Sequence, residues 1–369
     1  MRILRLFILL VSAVTLISFA GCSKESAKPK LPVYKVGLEP IEIVPLPEDS
    51  HVLPYWLQSG VSHRTLVRFS SVDGLIPVGD DVIKTIRELA KKEDFNGITA
   101  LTTPAAQVAY TSENMVYVAN RLGIVDEVVW VVPHLNSLSQ ADLDDFINYV
   151  SKDNPTHKVA YSALKLKDNI AEGMIFGIPV RIVSLQDLPK IEKPVLFDLD
   201  ISYFHALYVN EKETGILTLA SGLVNNLKEK GISTDMLTVS PSSSGVAPTF
   251  RFLAYYMKDL FHDPSMTDKT PPKLWKERAE AWKVSQKSVR EGIPVFKSIL
   301  KSFPDDAASH YDLAALYFET GDAVACKAEL DKAYAIDNGY LYGYAYFSAR
   351  AAKNGLQIKP ELFARVPGQ

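Results

Sequence analysis

KPVLFDLDISYF, residues 193–204, carries a β-branched and aromatic apolar run straight into two carboxylates, Asp198 and Asp200. A strand this apolar belongs inside a sheet covered on both faces. Side chains two apart on a strand point the same way, so the two aspartates share one face at its end. Hard-ion and zinc sites are often built on such pairs. An Asp-x-Asp at a strand end also serves as a helix cap, a turn former or a solvated pair, and spacing alone does not choose between these.

Outward from this strand the pattern repeats. HRTLVRFSS (63–71), DEVVWVVP (126–133), HKVAYSA (157–163) and STDMLTVSP (233–241) read as further strands. Between them, Asp80-Asp81 opens a helix, Ser139 caps QADLDDFINYVSK, and LASGLVNNLKEKG stops at Gly231. EGMIFGIPVRIVSL (172–185) reads as a hairpin insertion around Gly177, and APTFRFLAYYMKDLF (247–261) as a helix buried on most of its surface. Strands alternating with amphipathic helices predict a layered α/β domain over 40–262.

Residues 263–273, DPSMTDKTPPK, read as a linker, and 274–369 are helical throughout. From Ala307, the residues Leu313, Ala314, Tyr317, Gly321, Cys326, Leu330 and Ala333 fall at the packing positions of a tetratricopeptide repeat of roughly 34 residues. Half-repeats flank it: FKSILKSFPDD (296–306) as the second helix of one unit, GYAYFSARAAKNG (343–355) as the first helix of another. Such repeats need about three copies to stand alone, so this small all-α unit is expected to pack back on the α/β domain. Cys326 reads as core filler.

The chain opens with MRILRLFILLVSAVTLISFAGC, two arginines ahead of an apolar run that ends at Cys22. This is the pattern of a bacterial lipoprotein signal over 1–21, with Cys22 as the lipidated residue and 22–39 as a polar tether. Ser23 after the cysteine predicts the outer membrane, with the protein facing the periplasm. With Cys22 acylated, Cys326 has no intramolecular disulfide partner. A formal charge of −3 over 369 residues, without a basic cluster beyond the tether, argues against a nucleic-acid partner.

FDLDISYF, with TSENMVYVANRLGIVDEVVWVVPH (111–134) and SHVLPYWLQSGVSHRTLVRFSSVDGL (50–75), resembles an uncharacterised protein family related to the arginase and deacetylase fold. The resemblance covers roughly residues 40–262 and implies a three-layer α/β domain with a mainly parallel sheet. It further implies a metal site built from an early His, an Asp-x-His-x-Asp motif and the Asp-x-Asp pair. His51, Asp198 and Asp200 match; the middle motif falls on Ser70, Val72 and Gly74, with Asp73 one residue out of register. A two-metal centre needs bridging carboxylates that hold ions ~3.5–4 Å apart, which Ser70 and Val72 cannot supply. What survives is a weak site for one divalent ion, Mn or Zn, on His51, Asp198 and Asp200.

Other positions offer less. Ser242, Ser243, Ser244 and Gly245 follow a strand and precede a helix, where backbone amides can cradle an anion. His134 and His205 sit at predicted strand ends. Neither a Gly-rich nucleotide fingerprint nor a nucleophile elbow occurs. The sequence therefore predicts a lipid-anchored periplasmic protein whose degenerate arginase-like domain binds a ligand or partner, with a helical repeat for protein contact. The alternative is a metal-dependent hydrolase of C–N bonds of the amide or guanidine type.

Overall fold

The computed structural model describes residues 33–35, 43–45, 49–102, 108–151, 155–210, 215–240, 248–354 and 363. The signal segment, Cys22 and the loop from Ser242 to Gly245 lie outside the described residues. Nine strands form one sheet: β1 (Tyr34–Lys35), β2 (Ile43–Pro45), β3 (Arg64–Phe69), β4 (Val125–Val131), β5 (Lys165–Lys167), β6 (Ile170–Ile175), β7 (Ile178–Val183), β8 (Val195–Asp200) and β9 (Ser233–Ser240). Their order is β1-β9-β8-β3-β4-β7-β6-β5, with β2 also on β9. The pairings through the middle, β9-β8-β3-β4-β7, are parallel; β1, β5 and β6 join antiparallel at the two ends. The α/β class and mainly parallel sheet expected from the sequence are thus present.

Every residue of β8 is buried, as its central position requires. On one face Val67, Phe69, Phe197, Leu199, Leu237 and Val239 share a core with the helices Ser202–Asn210, Ile216–Lys230 and Phe252–His262. Phe197 stacks on Phe69 at 5.1 Å and meets Phe261 edge-on at 6.0 Å. On the opposite face Trp130 packs edge-on against Phe146 of the helix Gln140–Ser151 at 5.3 Å, and the Ser59 hydroxyl, at the end of the helix Val52–Ser59, reaches Met236 Sδ at 3.8 Å.

Two sequence readings are corrected. Residues 157–163 are not a strand: Pro155–Tyr161 is a helix, and Pro155 at its first position pre-sets the helical φ. Val159 is 77% exposed while Tyr161 is 2% exposed, a difference that two residues on one strand face could not show. The segment at 172–185 is a hairpin, β6 to β7 through the positive-φ pair Phe176-Gly177. It is no appendage, because β7 also pairs parallel with β4.

Beyond His262, the stretch read as a linker holds a 3-10 helix, Pro264–Asp268, capped by the Asp263 side chain. The helices Lys273–Lys287, Val289–Ser302, Ala307–Glu319, Ala323–Ile336 and Tyr342–Asn354 follow. Ser288, Asp306 and Asp322 each accept a first-turn amide, which sets where three of these helices begin. The described residues from Val33 onward form one unit, and the apolar core runs from Phe197 and Phe261 through Phe250 and Phe252 to Tyr311, Cys326 and Leu330. At the junction Phe250 meets Trp282 edge-on at 4.4 Å, and Phe252 stacks on Trp275 at 5.9 Å.

If the core is shared in this way, Phe250→Ala will destabilise the whole chain by about 3–5 kcal/mol, the usual cost of deleting a buried aromatic ring. Urea unfolding followed by both far-UV circular dichroism and Trp emission should remain a single coincident transition. A helical segment melting separately at an unchanged midpoint would show that the two parts are not coupled.

Candidate functional site

The parallel register sets Arg68 of β3 beside Asp198 of β8, with Thr238 of β9 beyond it. Two residues on, Asp200 lies beside Ser240, and Ser70 just past β3 reaches Asp200. These polar groups are all completely buried. Arg68 donates to Asp198 Oδ2, and its other terminal nitrogen lies 4.0 Å from Asp200 Oδ2. The Thr238 hydroxyl donates to Asp198 Oδ1 at 2.6 Å. Asp200 Oδ2 receives the hydroxyls of Ser70 at 2.8 Å and Ser202 at 2.7 Å, and its Oδ1 receives the Ser202 amide at 2.9 Å. Ser202 starts the helix Ser202–Asn210, so Asp200 also sits at the positive end of a helix. The serines are held in turn: Ser70 Oγ accepts the Val72 amide at 3.1 Å, Ser202 Oγ accepts the Ser71 amide at 3.0 Å, and Trp130 Nε1–H donates to the Ser70 carbonyl at 2.9 Å.

This network binds the carboxylates that the family resemblance implies as metal ligands. The guanidinium pairs directly with Asp198 and stands 4.0 Å from Asp200, and hydroxyl and amide donors bind the other carboxylate oxygens. Among the described residues no group of three or more His, Cys, Asp or Glu side chains is placed to hold a metal ion; His51 is not brought together with Asp198 and Asp200 into a ligand set. His51 precedes the helix Val52–Ser59. Its ring is partly buried with Nε2 unpartnered among the described residues, and burial lowers its pKa. The donor set therefore does not fit the metal that the family resemblance implies.

The middle motif is closed to it as well. Gly74 has φ +74°, and a Cβ there would stand 2.7 Å from Val116 Cγ2 and 3.0 Å from the Ser112 carbonyl oxygen, so an aspartate at this position would be strained and would have to push Val116 aside. Asp73 is 7% exposed; its Oδ1 accepts the Leu75 amide at 3.1 Å and Oδ2 has no partner among the described residues. Burial pushes its pKa up to about 6, against the pull of the Leu75 amide and of Arg68. His134 is a surface residue whose Nδ1 lies 2.7 Å from the Asn136 carbonyl oxygen, and His205 packs edge-on against Phe250 at 4.8 Å.

A second polar cluster escaped the sequence reading. A cleft of about 790 Å³ opens where the helix Phe252–His262 meets the helical unit, lined by Phe252, Tyr255, Trp275, Arg278, Tyr334 and Tyr340 among others. Arg278 is 1% exposed, and none of its three guanidinium nitrogens has a hydrogen-bond partner among the described residues. Asp306 and Asp312 approach it at 3.5 and 3.7 Å as ion pairs. Its guanidinium carbon lies 4.0 Å from the centre of the Phe252 ring. Nothing in the local sequence LWKERAEAW announces this, since Arg278 sits on a strongly charged helix whose mean pattern reads as solvated.

Comparison with protein-family models, curated proteins and solved structures finds no match to the chain.

Two outcomes are expected at the buried network. Arg68→Met will cost about 3–5 kcal/mol by stranding buried carboxylates, whereas Arg68→Met with Asp198→Leu will recover most of that loss. A urea double-mutant cycle measures both, and additive losses would show that the pair is uncoupled. For Asp73 the folded-state pKa lies above the ordinary 3.8. The folded state thus binds the proton more tightly, and stability is highest below pH ~4 and declines as pH rises through ~6, on the order of 3 kcal/mol in total. Asp73→Asn should flatten that part of the curve of unfolding midpoint against pH.

Proposed function

We propose that this chain is a lipid-anchored protein of the bacterial envelope that binds a ligand or partner rather than catalysing a reaction. Its α/β domain is a degenerate relative of the arginase and deacetylase fold, and its C-terminal helices are a tetratricopeptide-like unit for protein contact. Cys22, acylated after removal of residues 1–21, anchors it in the outer membrane facing the periplasm.

The observation that carries the non-catalytic reading is Arg68. A metal hydrolase needs carboxylates with free lone pairs facing a water it can activate. Here Asp198 and Asp200 are buried, Asp198 is ion-paired with a fixed guanidinium and takes the Thr238 hydroxyl, and Asp200 is hydrogen-bonded to Ser70 and Ser202. Removing that cation to admit an ion would strand charges in a dry interior, which is a cost of several kcal/mol before any metal is bound.

The test is metal analysis and turnover. Protein made from Ser23 onward should hold no stoichiometric Mn²⁺ or Zn²⁺ after dialysis and should not hydrolyse guanidino or acetyl-amide substrates with either ion added. Tightly held ions together with turnover that disappears in Asp198→Asn would overturn the reading in favour of a C–N hydrolase. For the anchor, Cys22→Ala should abolish palmitate labelling; equal labelling of the two proteins would refute it.

A further inference from the structure

The Arg278 cleft joins features that a packed core does not leave together. A buried polar group without a partner is destabilising, the more so when charged, and Arg278 leaves three nitrogens in this state at the wall of a cleft. Nearby, the hydroxyls of Tyr340 and Tyr311 and Oδ1 of Asp312 are buried and likewise unpartnered among the described residues. The contrast with Arg68 is direct: that guanidinium is hydrogen-bonded into its network, whereas this one lies against the Phe252 and Trp275 rings with its two carboxylates at the long distances of 3.5 and 3.7 Å.

The cleft's neighbouring arginine is already used. Arg251 holds Asp337 through Nε at 3.1 Å and a terminal nitrogen at 3.3 Å, and Tyr255 donates to the same carboxylate at 2.6 Å. Arg278, with the Tyr340 hydroxyl beside it, therefore has donors to offer at the cleft. Phe252 covers one face of the guanidinium and Arg278 lines the cleft, and the edge of a guanidinium matches two coplanar oxygens. The walls set the remainder of the ligand: Trp275, Tyr334 and Phe252 favour a flat apolar body. A cleft of this volume lies in the range of small-molecule sites. Charge sets the limit, because Asp306, Asp312 and Asp337 stand against Arg251 and Arg278, a balance that admits one negative charge more readily than two. Burial pushes the Asp312 carboxyl up to about 7, which softens that balance further.

We propose that this cleft binds a small planar carboxylate with an aromatic body, its carboxylate on the edge of Arg278, its ring against Trp275 and Phe252, and a polar contact from the Tyr340 hydroxyl. The inference stands whether or not the α/β domain is catalytic.

The test uses benzoate as the probe on the purified full-length chain, with benzamide and inorganic phosphate as comparators, followed by ligand-observed NMR. Benzoate should bind saturably with a millimolar Kd, benzamide and phosphate at least about tenfold more weakly, and Arg278→Gln should lose about tenfold or more, the worth of a charged hydrogen bond. Benzoate binding that does not saturate, that equals benzamide or phosphate binding, or that persists in folded Arg278→Gln would overturn the proposal. Should Arg278→Gln fail to fold, Tyr340→Phe decides. It keeps the ring stacked on Tyr311 at 5.1 Å and removes only the hydroxyl, so several-fold weaker binding supports the site and unchanged affinity refutes it.

Discussion

One guanidinium at the centre of the sheet determines what the domain can be. Arg68 lies on β3, between β8 and β4, and the parallel register aligns it with Asp198 on one side and Trp130 on the other. A charge at that depth is tolerable only with a fixed counter-charge and filled hydrogen bonds. Once Arg68 is present, Asp198 must face it, Asp200 must find hydroxyl and amide donors, and the strand end must run directly into the helix at Ser202 that supplies them. The register of β3 against β8 is thereby pinned by polar contacts on one face and by Phe69 on Phe197 on the other. A slip by one residue would put Arg68 among the apolar side chains of the opposite face.

Much of the α/β frame was legible in the sequence because its signals are local. Apolar strand runs, the Ser139 cap and the stop at Gly231 act within a few residues, and the structure places β3, β4, β8, β9 and the helices 140–151 and 216–230 where those signals fall. The misreading at 157–163 arose from giving the alternation of Val159 and Tyr161 with small or polar residues more weight than Pro155, a stronger helix-start signal. The fate of Asp198 and Asp200 could not be read from their own segment, since it depends on a residue 130 positions earlier in sequence. A hint was nonetheless available: Arg68 interrupts an apolar strand, and a buried cation there demands an acid from a neighbouring strand. The same logic gives no purchase on Arg278, whose burial comes from packing against Phe252 across the junction.

That junction is maintained by a second ionic constraint. Arg251, just before the helix Phe252–His262, reaches across to Asp337 after the helix Ala323–Ile336, and Asp337 also accepts the Gly339 amide at 2.8 Å. Gly339 has to be glycine for this to close, because a Cβ would lie 1.8 Å from an Arg251 nitrogen. Arg251 in turn lies 5.5 Å from the centre of the Tyr340 ring. The helical unit is therefore joined to the sheet domain by aromatic packing on one side and by a buffered ion pair on the other, and the cleft is the space left between these two supports.

The two buried arginines separate scaffold from site by one criterion, whether their donors are filled. Both lie deep in the protein and both stand near two aspartates, so burial and charge do not distinguish them. Geometry does: Arg68 donates to a carboxylate, while Arg278 faces Asp306 and Asp312 at distances that give Coulombic attraction without hydrogen bonds. A closed network gains nothing from a ligand, since any newcomer must first break contacts already made. An open one gains the difference between an unsatisfied and a satisfied guanidinium, which is a large term on the scale of small-molecule affinity. Binding in this chain is for that reason expected at the cleft beside Arg278, not at the closed network at the end of β8.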